Sequence, residues 1–210
     1  MTRPTYEPVI IEGCDTIIKL FRHRVQQLGD KVAMREKNFG IWETFTWTQY
    51  GDRAREIAMG LISLGLKRGD VCSIVSDNNK EWLFADMGIQ SCGGVTSGVY
   101  TTDSSAQLQY LATDSGTRFL VVENEEQLDK YLDVRENTPS ISKVIVFDSE
   151  GLHEFKDEQV MMIEDLYELG GTYGKEHPDL WDQEIDKSTP EDLMVLIYTS
   201  GTPGPPKGAM

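Results

Sequence analysis

From about residue 70, short apolar runs alternate with segments whose apolar residues recur every three to four positions. The runs predict buried strands, and the periodic segments predict helices that cover them. The strands are expected at 71–75, 94–99, 118–122 and 143–147, and the helices at 80–91, 104–113 and 125–132. Strands that alternate with helices are typical of parallel sheets. We therefore predict an α/β fold, in which a three-layer parallel or mixed sheet is covered by helices.

The N-terminal residues show a different pattern. An apolar face at helical spacing predicts a helix that begins at Asp15 as its cap. The β-rich segments 32–36 and 41–47 surround a turn sequence and predict a hairpin. A longer amphipathic helix then begins at Thr46 or Thr48, since either hydroxyl can cap it.

Beyond residue 147 the pattern weakens, and 148–190 is the most polar and least regular part of the chain. A strand near 160–163, helical stretches at 164–169 and 178–185, and a last strand at 193–198 are still indicated. These patterns divide the chain into an N-terminal helix and hairpin, an α/β subdomain, an acidic connecting segment, and the start of a second subdomain with a glycine-rich loop. The corresponding ranges are 1–47, 48–150, 151–190 and 191–210.

Composition limits the classes of protein that fit. The chain has 210 residues, of which 39% are hydrophobic, enough for one sizeable core or two small ones. No apolar run approaches the ~20 residues that span a bilayer, and the first residues lack a secretory pattern. We therefore predict a cytoplasmic protein without a transmembrane segment. Peripheral contact with a membrane is compatible with this prediction. Its cysteines, Cys14, Cys72 and Cys92, are odd in number and widely spaced, so we expect small, buried hydrophobic side chains, and no metal ligands are predicted.

The net charge of −15 is concentrated in one part of the chain, because residues 123–192 hold 21 acidic and 6 basic side chains. Such a surface repels a phosphate backbone, so no nucleic-acid partner is predicted. We interpret the acidic stretch as a solvated face.

The last thirteen residues combine hydroxyl side chains, glycines and a lysine directly after an apolar strand. Glycines let the backbone approach an anion, Thr199, Ser200 and Thr202 offer hydroxyl donors, and Lys207 offers a positive charge. This composition suits the phosphates of a nucleotide. The order differs from a Walker A loop, because no Ser or Thr follows the lysine.

In order, residues 198–208 are Tyr-Thr-Ser-Gly-Thr-Pro-Gly-Pro-Pro-Lys-Gly. This string resembles the phosphate-binding signature of the adenylate-forming acyl-activating enzymes, the superfamily that includes the acyl-CoA synthetases. Asp77-Asn-Asn-Lys-Glu-Trp82 and Val99-Tyr-Thr-Thr102 are similar to segments of its long-chain fatty acid branch. The likeness covers about residues 15–210 and implies the N-terminal part of the acyl-CoA synthetase-like fold, truncated.

The resemblance implies acyl activation in two steps. A fatty acid carboxylate attacks the α-phosphate of ATP to give an acyl-adenylate and pyrophosphate, and coenzyme A then takes the acyl group. ATP, Mg²⁺ and coenzyme A are the implied cofactors and co-substrates. The implied phosphate-binding residues are Thr199, Ser200, Gly201, Thr202, Gly204 and Lys207. Other functional residues of the family fall later in its sequence, so the catalytic residues stay unknown and the fragment itself is expected to be inactive.

Two alternative functions differ in the support that the sequence gives them. Pro203 stands where the family usually carries Ser or Thr, and proline has neither a hydroxyl nor a backbone N–H. This departure favours the alternative of a non-catalytic nucleotide-binding module. A dinucleotide-dependent oxidoreductase lacks support, because no Gly-x-Gly-x-x-Gly follows the first strand of the α/β pattern.

Overall fold

The computed structural model describes residue 7, residues 9–199 and residues 206–210. Helices α1 to α7 span Ile17–Leu28, Trp47–Ser63, Lys80–Ser91, Ser105–Ser115, Glu125–Val134, Ile163–Glu176 and Leu180–Asp186. Strands β1 to β9 span Val32–Asn38, Ile41–Thr46, Val71–Val75, Val95–Val99, Phe119–Val122, Lys143–Val146, Val160–Met162, Val195–Thr199 and Lys207–Ala209. A short 3-10 turn, Arg135–Asn137, follows α5.

Seven of the described strands form one sheet, in the order β7-β6-β5-β3-β4-β8-β9. The neighbours from β7 to β8 are parallel, whereas β8 and β9 are antiparallel. Strands β1 and β2 form a separate antiparallel hairpin, as predicted. The mainly parallel sheet with its covering helices confirms the predicted α/β class.

Alternate residues of each buried strand face opposite sides of the sheet. In β5, Phe119 and Val121 join an apolar cluster with α1, α2, α3, α6 and α7. Leu120 and Val122 join a second cluster with α4 and α5. The sheet thus lies between two helical layers, and the predicted three-layer arrangement is confirmed.

The caps of the first two helices differ in part from the prediction. Thr16, not Asp15, caps α1, because its hydroxyl accepts a hydrogen bond from the amide of Lys19 at 3.3 Å. The Asp15 carboxylate instead binds the Lys19 ammonium at 2.8 Å. At α2, the Thr46 hydroxyl accepts from the Gln49 amide at 3.2 Å and the Gln49 side chain accepts from the Thr46 amide at 2.8 Å. Of the two predicted caps, Thr46 is therefore the one used, in a capping box.

We expect Thr46→Ala to lower the free energy of unfolding by about 1 kcal/mol, because it removes the hydroxyl acceptor at the start of α2. Thr48→Ala is the matched control, since the Thr48 hydroxyl makes one long hydrogen bond among the described residues, to Asp30 at 3.5 Å, and we expect a change within about 0.5 kcal/mol. Urea unfolding measures both. Equal losses in the two variants would contradict the assignment of the cap.

The polar segment 148–190 contains the regular elements that its sequence predicted. Strand β7 pairs with β6 in the main sheet, and α6 and α7 bury Leu166 and Ile185. The acidic side chains lie on the outer faces of these helices, for example Glu164 and Asp165 of α6. The strand predicted near 160–163 and the helical stretches predicted at 164–169 and 178–185 are thus present as β7, α6 and α7, while the domain boundaries inferred from sequence stay a prediction.

Candidate functional site

The sheet changes its crossover direction between β3 and β4. The chain leaves β3 through α3, which packs on one face, and leaves β4 through α4, which packs on the other. The loops after these neighbouring strands, 76–79 and 100–104, therefore diverge and leave a crevice at the carboxyl ends of the strands. Open α/β sheets bind their ligands at such a position.

Hydrogen bonds between loops hold the edge of the crevice together. The Thr101 hydroxyl donates to the Asp77 carboxylate at 2.8 Å, and the Asp77 amide donates to the Glu123 carboxylate at 2.7 Å. The Lys130 ammonium donates to the carbonyl of Thr101. These contacts join the carboxyl ends of β3, β4 and β5. A cavity of about 430 Å³ adjoins them, lined by residues that include Ser76, Trp82, Gly98, Tyr100 and Tyr198.

Strands β8 and β9 bring two of the predicted phosphate ligands to this edge. Thr199 is the last residue of β8. Because β8 runs parallel to β4, Thr199 lies at the same edge of the sheet as the carboxyl end of β4. Strand β9 returns antiparallel to β8, with Lys207 in register with Thr199, and both residues are exposed. The other predicted ligands, Ser200, Gly201, Thr202 and Gly204, lie outside the described residues, as does Pro203.

Strand β9 was not predicted from the sequence, because residues 207–209 follow a run of glycine and proline. The strand forms through its pairing with β8. Lys207 consequently belongs to a paired strand and not to a loop.

Two tyrosines connect this strand pair to α4. The Tyr110 hydroxyl donates to the carbonyl of Pro206 at 2.8 Å, and the Tyr198 hydroxyl donates to the Asp114 carboxylate at 2.8 Å. Both rings are half-buried against the apolar cluster beneath α4. Burial, followed by the hydrogen bond to Asp114, raises the pKa of Tyr198, so its hydroxyl keeps the proton that it donates. A cavity of about 410 Å³ is lined by both tyrosines and by Tyr100.

Tyr110 and Asp114 were not among the residues that the sequence predicted for the site. Their spacing of four places them on one face of a helix, which the sequence does show. Their partners, however, are 96 and 84 positions away. That pairing requires β8 to lie beside β4, which no local pattern indicates.

The described residues include three cysteines outside this site. Cys72 and Cys92 are buried, as predicted, and burial raises the pKa of both thiols, that of Cys92 to about 12. Cys14 is only half-buried, so the prediction was wrong for this residue. Across the described part of the chain, no group of three or more His, Cys, Asp or Glu residues could hold a metal ion. Within the same ranges, no helix combines the length and apolarity that crossing a membrane requires.

Comparison with known sequences extends the resemblance. Long-chain-fatty-acid–CoA ligase ACSBG1 of Bos taurus is 33% identical over 204 residues, which cover 97% of this chain and 27% of the relative. Long-chain-fatty-acid–CoA ligase ACSBG2 of Xenopus laevis is 37% identical over 198 residues, covering 93% of this chain and 26% of the relative. The chain thus spans about a quarter of the length of these curated relatives.

Solved structures share the fold. The anthranilate CoA ligase AuaEII in complex with anthranoyl-AMP matches with a TM-score of 0.74 at 23% identity, over 91% of this chain and 33% of that one. The long-chain-fatty-acid-CoA ligase FadD1 of Archaeoglobus fulgidus matches with a TM-score of 0.73 at 18% identity, over 99% of this chain and 37% of that one. These matches confirm the predicted acyl-CoA synthetase-like fold. With this fold established, the match of the AMP-binding enzyme profile to residues 21–210 shows that the chain belongs to the AMP-binding enzyme family.

Proposed function

We propose that this chain is part of an ATP-dependent long-chain fatty acid–CoA ligase, in which residues 199–207 bind the phosphates of ATP. The observation that carries the proposal is the pairing of β8 and β9, which sets Thr199 beside Lys207 at the carboxyl edge of the sheet. A hydroxyl donor and a cation then adjoin the crevice in which α/β sheets bind ligands. The relatives named as long-chain fatty acid–CoA ligases support the acyl substrate.

The first step of the proposed reaction requires a positive charge near the pyrophosphate leaving group, and Lys207 can supply it. A carboxylate oxygen of the fatty acid attacks the α-phosphorus of ATP, and the bond to the β-phosphate oxygen breaks with its electron pair going to pyrophosphate. Negative charge therefore grows on the leaving group. The exposed Lys207 ammonium neutralises that charge, and Thr199 donates a hydrogen bond to it. We propose that the hydroxyls of Ser200 and Thr202 and the backbone N–H groups of Gly201 and Gly204 also donate hydrogen bonds to the phosphates.

The second step transfers the acyl group. The sulfur of coenzyme A attacks the acyl carbon of the adenylate, and AMP leaves with the electron pair of the bond between that carbon and its phosphate oxygen. We assign no described residue to this step. We propose that it depends on parts of the enzyme beyond the quarter of the relatives' length that this chain matches, and that the 210 residues alone are inactive.

Magnesium would supply further charge neutralisation when bound with ATP. The ion takes oxygen ligands and often binds through one or two carboxylates together with substrate phosphates. The described residues do not offer a cluster that could hold a metal without ATP. Thr199, with its hydroxyl oxygen next to the proposed phosphate position, fits a ligand shared with the nucleotide, and we assign no carboxylate.

The test of the proposed function is the formation of acyl-CoA and AMP by the full-length protein that carries this chain. Fatty acid, ATP and coenzyme A should all be required. Tight ATP binding without turnover would instead support the alternative of a non-catalytic nucleotide-binding module.

Pro203→Thr tests the contribution of the one unusual position in the phosphate-binding segment. The change adds a hydroxyl and a backbone N–H, both of which can donate to phosphate. We therefore expect a KM for ATP that is equal to or lower than that of the wild type, with the rate of acyl-adenylate formation equal or higher. Steady-state kinetics of the full-length protein measures both. A clear loss of activity would show that proline is required at this position.

A further inference from the structure

We propose that Tyr110 and Asp114 of α4 are positioning residues for the phosphate-binding segment, which hold Lys207 and Thr199 where ATP needs them. This proposal rests on the proposed function of residues 199–207. It assigns a role to two side chains that themselves touch neither ATP nor the fatty acid.

The two contacts stand directly beside the proposed phosphate ligands. Tyr110 binds the carbonyl of Pro206, the residue immediately before Lys207. Asp114 binds the hydroxyl of Tyr198, the residue immediately before Thr199. The first contact fixes a backbone carbonyl and the second a side chain, each one residue away from a proposed phosphate ligand. Both ends of the segment are tied to the same face of one helix.

Strand pairing alone does little to fix the positions of Thr199 and Lys207. Strand β8 pairs with β4 through Val195 and Leu196, so its carboxyl half, with Tyr198 and Thr199, extends beyond that pairing. Strand β9 has three residues, all exposed, and pairs on one side with β8. Short exposed edge pairing opens with little cost in free energy. An additional anchor is therefore needed to keep Lys207 in a defined position.

Helix α4 can provide that anchor because it is itself well fixed. Ser104 and Gln107 form a capping box at its first turn. Leu108, Leu111 and Ala112 are buried on its inner face. Tyr110 and Asp114 project from a rigid element, which is the arrangement that precise positioning of a ligand-binding group requires.

The hydroxyls can be removed without removing the packing. Tyr110→Phe and Tyr198→Phe keep the half-buried rings, so the contribution of each hydrogen bond is tested with the apolar contacts retained. Asp114→Asn keeps an oxygen that can accept from Tyr198, whereas Asp114→Ala does not. Tyr173→Phe is a matched control, because Tyr173 lies on α6 and packs against the opposite face of the sheet.

The decisive experiment measures kcat/KM for ATP in pyrophosphate exchange by the full-length protein. We expect Tyr110→Phe, Tyr198→Phe and Asp114→Ala each to lower it about fivefold, the loss of one hydrogen bond. KM for the fatty acid should not change, Asp114→Asn should retain most of the wild-type value, and Tyr173→Phe should match the wild type. In a Lys207→Ala background, Tyr110→Phe should cause no further loss, because its effect acts through Lys207.

Three results would overturn the proposal, and they separate it from the proposed function. If Lys207→Ala lowers exchange but Tyr110→Phe and Asp114→Ala do not, the positioning role is wrong and the phosphate-binding role stands. If Tyr110→Phe lowers activity by the same factor with and without Lys207, its role is structural only. If the wild type shows no exchange, or Lys207→Ala leaves it unchanged, the proposed function fails and the positioning role fails with it.

Discussion

Lys207→Ala is expected to lower the rate of fatty acid-dependent ATP–pyrophosphate exchange by about 10²- to 10³-fold, the effect of removing one donor that stabilises charge in a transition state. The side chain is exposed, so the free energy of unfolding should change by less than about 0.5 kcal/mol. Exchange kinetics and urea unfolding of the full-length protein measure the two quantities separately. A large loss of rate without a loss of stability is the signature of a residue that acts on the reaction.

Lys67→Ala provides the control for a general effect of charge. Lys67 is also exposed, but it lies in the turn before β3, at the amino edge of the sheet. Its removal should leave the exchange rate unchanged. Exchange within twofold of the wild type in the Lys207→Ala variant would contradict the assignment of the phosphate-binding segment.

Gly170→Ala is expected to cause the largest loss of stability from a single methyl group. A Cβ at Gly170 would lie 1.8 Å from the carbonyl oxygen of Glu56 and 2.8 Å from the amide nitrogen of Gly60. Both atoms belong to the backbone of α2, so α2 and α6 would have to separate. Overpacking against side chains costs about 1–3 kcal/mol, and against backbone that cannot rotate away we expect about 3 kcal/mol or more.

The adjacent glycine is a close control for Gly170. A Cβ at Gly171 meets no atom within 4 Å, and alanine is the better helix former. We expect Gly171→Ala to raise the free energy of unfolding by about 0.5–1 kcal/mol. Urea unfolding of the two variants compares the same substitution at neighbouring positions of α6. Similar effects at both positions would contradict the close contact between α2 and α6.

The central strands and helices could be predicted because each carries its own pattern. The segment Lys80–Ser91 was predicted with the bounds that the structure shows for α3. Helix α6 was predicted to end near residue 169 but continues to Glu176. Glycines at 170, 171 and 174 interrupt its apolar pattern, and at Gly170 the reason is the approach of α2. The contact between α2 and α6 therefore explains the glycine at position 170, which made the predicted helix end too early.

The site also combines features that local sequence indicates with features that depend on the tertiary fold. Thr199 and Lys207 were found from the order of residues in one continuous segment, and no strand pairing was needed. The crevice depends on the strand order, and the contacts of Tyr110 and Asp114 depend on β8 lying beside β4. Strand order and contacts between distant residues produce no periodic pattern in the sequence. The proposed ligands could thus be chosen from the local sequence, whereas the elements that position them could not.

The most direct test of the account is ATP–pyrophosphate exchange by the full-length protein, measured across a series of fatty acids and without coenzyme A. Reversible formation of an acyl-adenylate predicts that labelled pyrophosphate enters ATP only when a fatty acid is present, with no need for the thiol. Exchange should be strongest for a long acyl chain. Saturating ATP binding with no exchange for any fatty acid in the series would contradict the claim that residues 199–207 serve an acyl-activating enzyme.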